Sequence, residues 1–196
     1  MDQSRVEALC DGLQQLSSRL RNSEISHESR ALIAEHIINI GLSLNGYNNY
    51  QNVDVSGERG FVKNFLSPLA PACCVDVGAN IGRYSRMLLE LTEAKVFAFE
   101  PTTEAYQDLL RLADKSSGRL SAVNKAVSNI SGNARLFFNP DRTAHASLGT
   151  EMNRISYVNN DFSKVISCIT LDDLFADTKQ VDYIKIDTEG YEYEVL

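Results

Sequence analysis

The chain has 196 residues, of which 43% are hydrophobic and 23% charged, a composition typical of one globular domain with an accessory segment. Its net charge of -7 argues against a general nucleic-acid binder, because such proteins need Lys and Arg to contact phosphates. No run approaches the roughly 18 apolar residues of a membrane helix, and the polar residues 1–20 do not resemble a signal peptide. We therefore expect a cytoplasmic protein that binds neither nucleic acid nor membranes.

The N-terminal segment, residues 1–44, is predicted to form two amphipathic helices. Apolar residues follow one another at steps of three and four between Val6 and Leu20. Ser26 is placed to cap a second helix, which we expect to end near Gly41. A helical hairpin that packs on the main domain would bury these apolar faces. Homodimerisation through the helices is the alternative, although the leucine stripe is short for a coiled coil.

Residues 45–72 are predicted to link these helices to the main domain. The first part is rich in Asn and Gly and therefore typical of a loop. A short helix is expected over residues 60–66, because Pro68 and Pro71 would end it.

The main domain, residues 73–196, alternates strand and helix patterns. The predicted order is strand Cys73–Val77, helix Arg83–Leu91, strand Lys95–Phe99, a loop and helix over 101–112 with Thr103 as N-cap, and strand 120–127. An antiparallel strand at 134–138, strands at 164–169 and 181–186, and a helix from Glu189 follow, while 139–163 is a long polar loop. Parallel strands joined by helices predict an α/β fold with a doubly wound sheet.

The four cysteines of the chain show no spacing typical of a zinc site. We expect Cys10, Cys73, Cys74 and Cys168 to be reduced and mostly buried. No metal site is predicted from these residues.

A glycine-containing turn follows the first strand of the main domain, at the edge where such sheets bind ligands. Gly78 and Gly82 allow a tight turn and a close approach of a ligand, and the next helix directs free N–H groups toward it. Glu100 ends the second strand, roughly 20 residues beyond the turn, where a carboxylate can accept hydrogen bonds from both hydroxyls of a ribose. Together these features predict an adenosine-containing cofactor.

The residues of the turn indicate which cofactor this is. The order Gly78-x-Asn80-x-Gly82 does not fit the G-x-G-x-x-G pattern of dinucleotide sites. Asp76 would repel a pyrophosphate, but it suits the positively charged amino group of a methionine tail. S-adenosylmethionine is therefore favoured over NAD, and an NAD-dependent oxidoreductase is the less favoured reading.

From about residue 56 to residue 196, the sequence resembles the FkbM family of S-adenosylmethionine-dependent methyltransferases. The matching motifs, with Gly132 and the upstream segment 56–58, are DVGANIGRYS (76–85), FEP (99–101), NKAVS (124–128), SL (147–148), TLD (170–172) and IKIDTEGYE (184–192). The helices in 1–44 lie outside the resemblance.

The resemblance implies a Rossmann-like methyltransferase sheet and a set of cofactor-binding residues. The methionine end of the cofactor would be lined by Asp76, Gly78, Ala79, Asn80 and Gly82. Glu100 would hold the ribose, and the adenine would lie near Lys125 and Ala126. Members of this kind are typically O-methyltransferases that act on sugar or polyketide hydroxyls, which implies a small-molecule or glycan acceptor.

Methylation of a hydroxyl benefits from a general base, and three residues are candidates for this role. Asp187 and Glu189 follow the strand 181–186, and His145 lies in the long polar loop. Asp187 has two other possible roles: it can hold the methionine amino group or bind a metal together with Glu189, although two carboxylates alone are weak evidence for a metal. Glu189 also fits an acid in the first turn of a helix, with Glu192 exposed on that helix. Lys185, inside an apolar strand, is expected to pair with a buried carboxylate.

A complete sheet of this kind has about three more strands than the chain supplies. The domain in 73–196 is therefore expected to be partial and incomplete at its C-terminus, either as a fragment or as a chain completed by another. An O-methyltransferase is the leading functional prediction. A non-catalytic module that binds the cofactor or a partner is the alternative.

Overall fold

The computed structural model describes residues 3–21, 23, 25–44, 53–138, 146, 148, 162–177 and 180–196. The chain forms two compact units, Met1–Gly57 and Glu58–Leu196. Within the described ranges, every helix is too short or too polar to cross a membrane.

The first unit contains the two predicted helices, α1 (Gln3–Arg21) and α2 (His27–Leu44), followed by the single turn α3 (Val53–Ser56). The predicted cap is confirmed, because the Ser26 hydroxyl oxygen accepts a hydrogen bond of 3.2 Å from the backbone N–H of Ser29. The predicted end near Gly41 is wrong: α2 continues to Leu44, since glycine weakens a helix without necessarily ending it.

The apolar side chains of α1 and α2 are largely exposed within this unit, and neither helix has a buried residue among those described. A cavity of about 350 Å³ between them is lined by residues such as Leu13, Leu20 and Ile33. Packing of these faces on the main domain and homodimerisation through them both stay predictions.

The second unit contains the α/β domain. After α4 (Glu58–Phe61), a π-helical turn (Val62–Leu66) and a 3-10 turn (Ser67–Leu69), its elements are β1 (Cys73–Val77), α5 (Arg83–Leu91), β2 (Lys95–Phe99), α6 (Thr103–Asp114), β3 (Leu120–Val123), β4 (Ala126–Val127), β5 (Gly132–Phe138), β6 (Phe162–Ile169), α7 (Leu171–Phe175), β7 (Tyr183–Ile186) and α8 (Glu192–Val195). The helix predicted over 60–66 is thus divided between α4 and the π-helical turn, and the 3-10 turn follows it.

The main sheet has four parallel strands in the order β3-β2-β1-β7. Every residue of β1 is buried, as expected for a central parallel strand covered on both faces. Val75, Val77 and Phe99 form the centre of the core. The predicted α/β, Rossmann-like, doubly wound arrangement is confirmed, and it brings the ends of β1, β2 and β7 to one edge.

The second sheet has three strands in the order β4-β6-β5, with β5 antiparallel to β6 as predicted for 134–138. The expectation of one strand over 120–127 is wrong. The chain leaves the main sheet after Val123, where the side chain of Asn124 donates a hydrogen bond of 2.8 Å to the Glu100 carbonyl. Ala126 and Val127 then pair with β6 instead.

The start of β1 is held by Asp182, which lies just before β7. Its carboxylate accepts hydrogen bonds from the backbone N–H groups of Ala72 (2.7 Å) and Cys73 (2.9 Å). The hydrogen bond from Cys73 is the main cause of the lowered pKa of the Asp182 carboxyl, followed by that from Ala72.

This pKa predicts a pH dependence of stability that Asp182→Asn should remove. A lowered folded pKa gives stability that is present above the unfolded pKa of about 3.9 and is lost as pH falls through the folded value. We expect wild type to be more stable than Asp182→Asn near pH 6 and the difference to shrink below pH of about 4. Urea unfolding at both pH values measures this, and Asp177→Asn, at an exposed turn residue, is the control. A difference that stays constant with pH would contradict the prediction.

Candidate active site

The turn after β1 is built so that its backbone contacts the ends of both neighbouring strands. The N–H groups of Gly78 and Ala79 donate to the carbonyl of Phe99 at 3.1 and 2.9 Å, which fixes the turn to the end of β2. Gly78 has φ +75°, and a Cβ there would lie 1.9 Å from the carbonyl oxygen of Asp187. Only glycine therefore lets the ends of β1 and β7 approach this closely.

Gly82 ends the turn and begins α5. Its φ is +80°, and a Cβ on it would lie 2.8 Å from side-chain atoms of both Leu109 and Leu112. The missing side chain lets the start of α5 pack closely against α6, which places the N-terminus of α5 beside the turn.

Glu100 lies directly after β2 and is buried. Its Oε1 accepts hydrogen bonds from the backbone N–H (2.7 Å) and the hydroxyl (2.5 Å) of Thr102, and its Oε2 accepts one from the Asn80 N–H (2.9 Å). Burial raises the pKa of the Glu100 carboxyl, although these hydrogen bonds oppose the rise. The carboxylate thus joins the turn after β1 to the segment after β2.

The contact with Thr102 also corrects the prediction that Thr103 caps α6. Thr102 precedes the helix in extended conformation and occupies the cap position. Its hydroxyl donates to Glu100 and makes no capping bond. Thr102 therefore holds the Glu100 carboxylate in place and does not cap α6.

Asp76, in β1, is fully buried and paired with Lys185 of β7, as the sequence predicted for this lysine. Its Oδ2 accepts a hydrogen bond of 2.6 Å from the Ser85 hydroxyl, and its Oδ1 lies 3.4 Å from Lys185 Nζ. Among the described contacts, Oδ1 has no hydrogen bond, and the ion pair compensates its burial.

Lys185 also connects two other parts of the site. Its Nζ lies 3.3 Å from Asp187 Oδ2 and 3.4 Å from the carbonyl oxygen of Gly78. Burial on its own lowers the pKa of Lys185, but the negative charges of Asp76 and Asp187 outweigh it, and the net pKa is raised. The side chain of Lys185 is 16% exposed, whereas that of Asp187 is 61% exposed.

A tyrosine pair beside this cluster was not predicted from the sequence. The hydroxyl oxygens of Tyr84 and Tyr183 are 2.6 Å apart, and the Phe61 ring packs against Tyr183 in a tilted arrangement with ring centroids 5.9 Å apart. Lys185 Nζ lies 5.6 Å from the centre of the Tyr84 ring. Burial is the main cause of the raised pKa of both tyrosines, so both stay protonated at neutral pH. Only the alternation of β7 and the apolar face of α5 could have suggested the contact.

The segment between β7 and α8 differs from the predicted helix start. Glu189 is half-buried, has φ +54° and precedes α8, so the interpretation as a first-turn helix acid is wrong. Glu192, expected to be exposed, is half-buried. Its carboxylate accepts hydrogen bonds from the N–H groups of Thr188 (2.9 Å) and Gly190 (3.1 Å) and from the Thr188 hydroxyl.

The other predicted site residues follow β3 or lie outside the described residues. Lys125 is half-buried between β3 and β4, and Ala126 is buried in β4. His145 lies outside the described residues. In the ranges described, no group of three or more His, Cys, Asp or Glu side chains is arranged to hold a metal. Cys73, Cys74 and Cys168 are buried free thiols, as predicted, while Cys10 is exposed.

The hydrogen-bond acceptors at this edge fit S-adenosylmethionine, whose ribose hydroxyls and ammonium group are donors. Glu100 presents a carboxylate at the tip of β2, where ribose hydroxyls can donate to it. Asp187 presents an exposed carboxylate at the tip of β7, which suits an ammonium group. The turn after β1 lies between these two strand tips, because β1 pairs with both β2 and β7.

Comparison with known proteins identifies two relatives that are both methyltransferases. The chain is 29% identical to the hexuronic acid methyltransferase AglP of Haloferax volcanii over 146 residues, which cover 73% of this chain and 56% of that protein. A shorter match, 37% identical over 65 residues, is to the ribosomal RNA small subunit methyltransferase H of Zymomonas mobilis and covers 33% of this chain and 20% of that protein. No solved structure matches the chain significantly.

The chain therefore spans little more than half the length of the first of these relatives. The model of the methyltransferase FkbM domain matches residues 76–196, which contain the glycine turn, Glu100 and the Lys185 cluster. On the basis of this match, which covers more than half of its length, the chain belongs to the FkbM methyltransferase domain family.

Proposed function

We propose that the protein binds S-adenosylmethionine at the ends of β1, β2 and β7 and catalyses transfer of its methyl group to a hydroxyl group of a sugar. The observation that carries the proposal is the buried Glu100 carboxylate, which is bonded to the glycine turn through Asn80 and lies at the tip of β2. This is the position where nucleotide-binding sheets hold a ribose. Membership of the FkbM family supports the same cofactor.

The residues of the site have three tasks in such a reaction. S-adenosylmethionine, when bound, would supply an electrophilic methyl group on a sulfonium, which the acceptor oxygen would take as the bond to sulfur breaks. The site must hold the acceptor oxygen in line with the methyl group and exclude water. A base must also take the hydroxyl proton. Among the described residues, Asp187 and Glu189 are the candidates at this edge.

A sugar acceptor is supported by the similarity to a hexuronic acid methyltransferase. A hexuronic acid offers hydroxyl groups and a carboxylate, and we propose a hydroxyl as the acceptor. Incubation with labelled S-adenosylmethionine and a uronate-containing glycan tests this, because a methyl ether survives mild alkali and a methyl ester does not. Release of all the label by mild alkali would exclude hydroxyl methylation.

Replacement of Glu100 by Gln is expected to weaken S-adenosylhomocysteine binding by roughly tenfold or more, because a charged acceptor of ribose hydroxyls is lost. Calorimetric titration measures the affinity.

Binding to wild type should also weaken in acid. The loss should begin at a higher pH than for an ordinary glutamate, because protonation of Glu100 at its raised pKa removes the charged acceptor.

Glu104→Gln is the matched control, since Glu104 is an exposed acid in the first turn of α6. Unchanged affinity in Glu100→Gln, with cooperative melting retained, would contradict the cofactor site. Saturable binding without turnover on any glycan or small hydroxyl compound would favour the non-catalytic binding module.

A further inference from the structure

The two carboxylates nearest the turn differ in what a ligand can reach. Asp76 has no exposed surface: Ser85 donates to one oxygen, and the other faces Lys185. Asp187 has a side chain that is 61% exposed, and only its Oδ2 is recorded near Lys185. A ligand can therefore contact Asp187 without displacing any part of the core.

The charges of the cluster lead to the same distinction. One lysine cation lies between two carboxylates, so the three side chains together carry one negative charge when all are ionised. Asp76 lies on the buried side of Lys185, where the effective dielectric constant is low. The lysine charge therefore neutralises the charge of the Asp76 carboxylate. The remaining negative charge lies at the exposed carboxylate of Asp187.

The backbone places this carboxylate at the turn itself. The Asp187 N–H donates to the Val77 carbonyl at 3.0 Å, and the Asp187 carbonyl oxygen lies 1.9 Å from the position that a Cβ on Gly78 would occupy. Asp187 therefore borders the segment that the family resemblance assigns to the methionine end of the cofactor.

We propose that Asp187, and not Asp76, accepts the ammonium group of the methionine tail, and that Asp76 serves to hold Lys185. This inference rests on the proposed function, because it concerns the same cofactor. The assignment removes Asp187 from the candidate bases. Glu189 is then the remaining candidate base among the described residues at this edge.

The test compares S-adenosylhomocysteine with its analogue in which hydrogen replaces the α-amino group. Calorimetric titration of the full chain should show that wild type binds S-adenosylhomocysteine at least about tenfold more tightly than the analogue. In Asp187→Asn this preference should fall to about twofold or less, because the charged acceptor is lost. The ratio is taken within one variant, so a general loss of stability does not change it.

Asp76→Asn is the matched comparison, with the same change in the neighbouring strand, and it should keep the preference. A preference retained in Asp187→Asn would overturn the inference, whether or not Asp76→Asn folds. Equal binding of both ligands by wild type would overturn this inference alone. No binding of either ligand by wild type that melts cooperatively would overturn the proposed function and the inference with it.

Discussion

Gly78→Ala is expected to destabilise the protein by more than about 3 kcal/mol, a large part of the 5–15 kcal/mol of a typical domain. The new Cβ would lie 1.9 Å from the Asp187 carbonyl oxygen, a distance that only a backbone shift can relieve. The left-handed φ of +75° adds about 1–2 kcal/mol for a residue with a Cβ. Urea unfolding of the variant and wild type measures the difference in free energy.

Gly118→Ala separates the clash from the backbone strain. Gly118 has nearly the same conformation, φ +78°, but no atom lies within 4 Å of the position of its Cβ. We expect this control to lose only about 1–2 kcal/mol. Equal losses in the two variants would show that the ends of β1 and β7 are not in close contact.

Lys185→Met is expected to cost about 3–5 kcal/mol, because it leaves the fully buried carboxylate of Asp76 without a counter-charge. Asp187→Asn removes the exposed partner of the same lysine and should cost less than about 1 kcal/mol. Chemical unfolding of both variants at neutral pH measures the contrast.

The double variant Asp76→Asn/Lys185→Met provides the control for the charge argument. Removal of both charges should recover part of the stability lost in Lys185→Met, which a loss of packing alone would not do. The raised pKa of Lys185 adds a pH signature: its stabilisation is present below the unfolded pKa of about 10.4 and is lost as pH rises through the folded value. Similar unfolding free energies for Lys185→Met and Asp187→Asn would contradict the prediction.

Strong local patterns explain which parts of the fold could be predicted from sequence. The bounds of β1, α5 and β2 agree with the prediction because each is a short apolar run or an amphipathic stretch, and several of their ends are marked by a glycine or a proline: Pro71, Gly78, Gly82 and Pro101. The prediction of one strand over 120–127 was wrong because residues 120–123 and 126–127 are both apolar and resemble one continuous strand. Only their long-range pairing places them in different sheets.

The candidate site could also be predicted only in part from the sequence. Gly78, Gly82 and Glu100 were recognisable from their spacing, and the family resemblance named the same residues. The partner of Lys185 was expected to be a carboxylate, but its identity depends on the pairing of β1 with β7, more than 100 positions apart. The Tyr84–Tyr183 contact joins residues 99 positions apart, so it too depends on the tertiary fold. Glu192, by contrast, bonds to Thr188 and Gly190 in the same segment, a local arrangement that the sequence analysis missed.

The hydrogen bonds that hold the glycine turn affect the cost of ligand binding. Asn80 is bonded to Glu100, and Gly78 and Ala79 are bonded to Phe99, so the protein itself holds the turn. A preorganised segment of this kind loses little conformational entropy when a ligand binds. Association at this turn should then resemble docking to a rigid surface, and affinity differences among ligands should arise mainly from their dissociation rates.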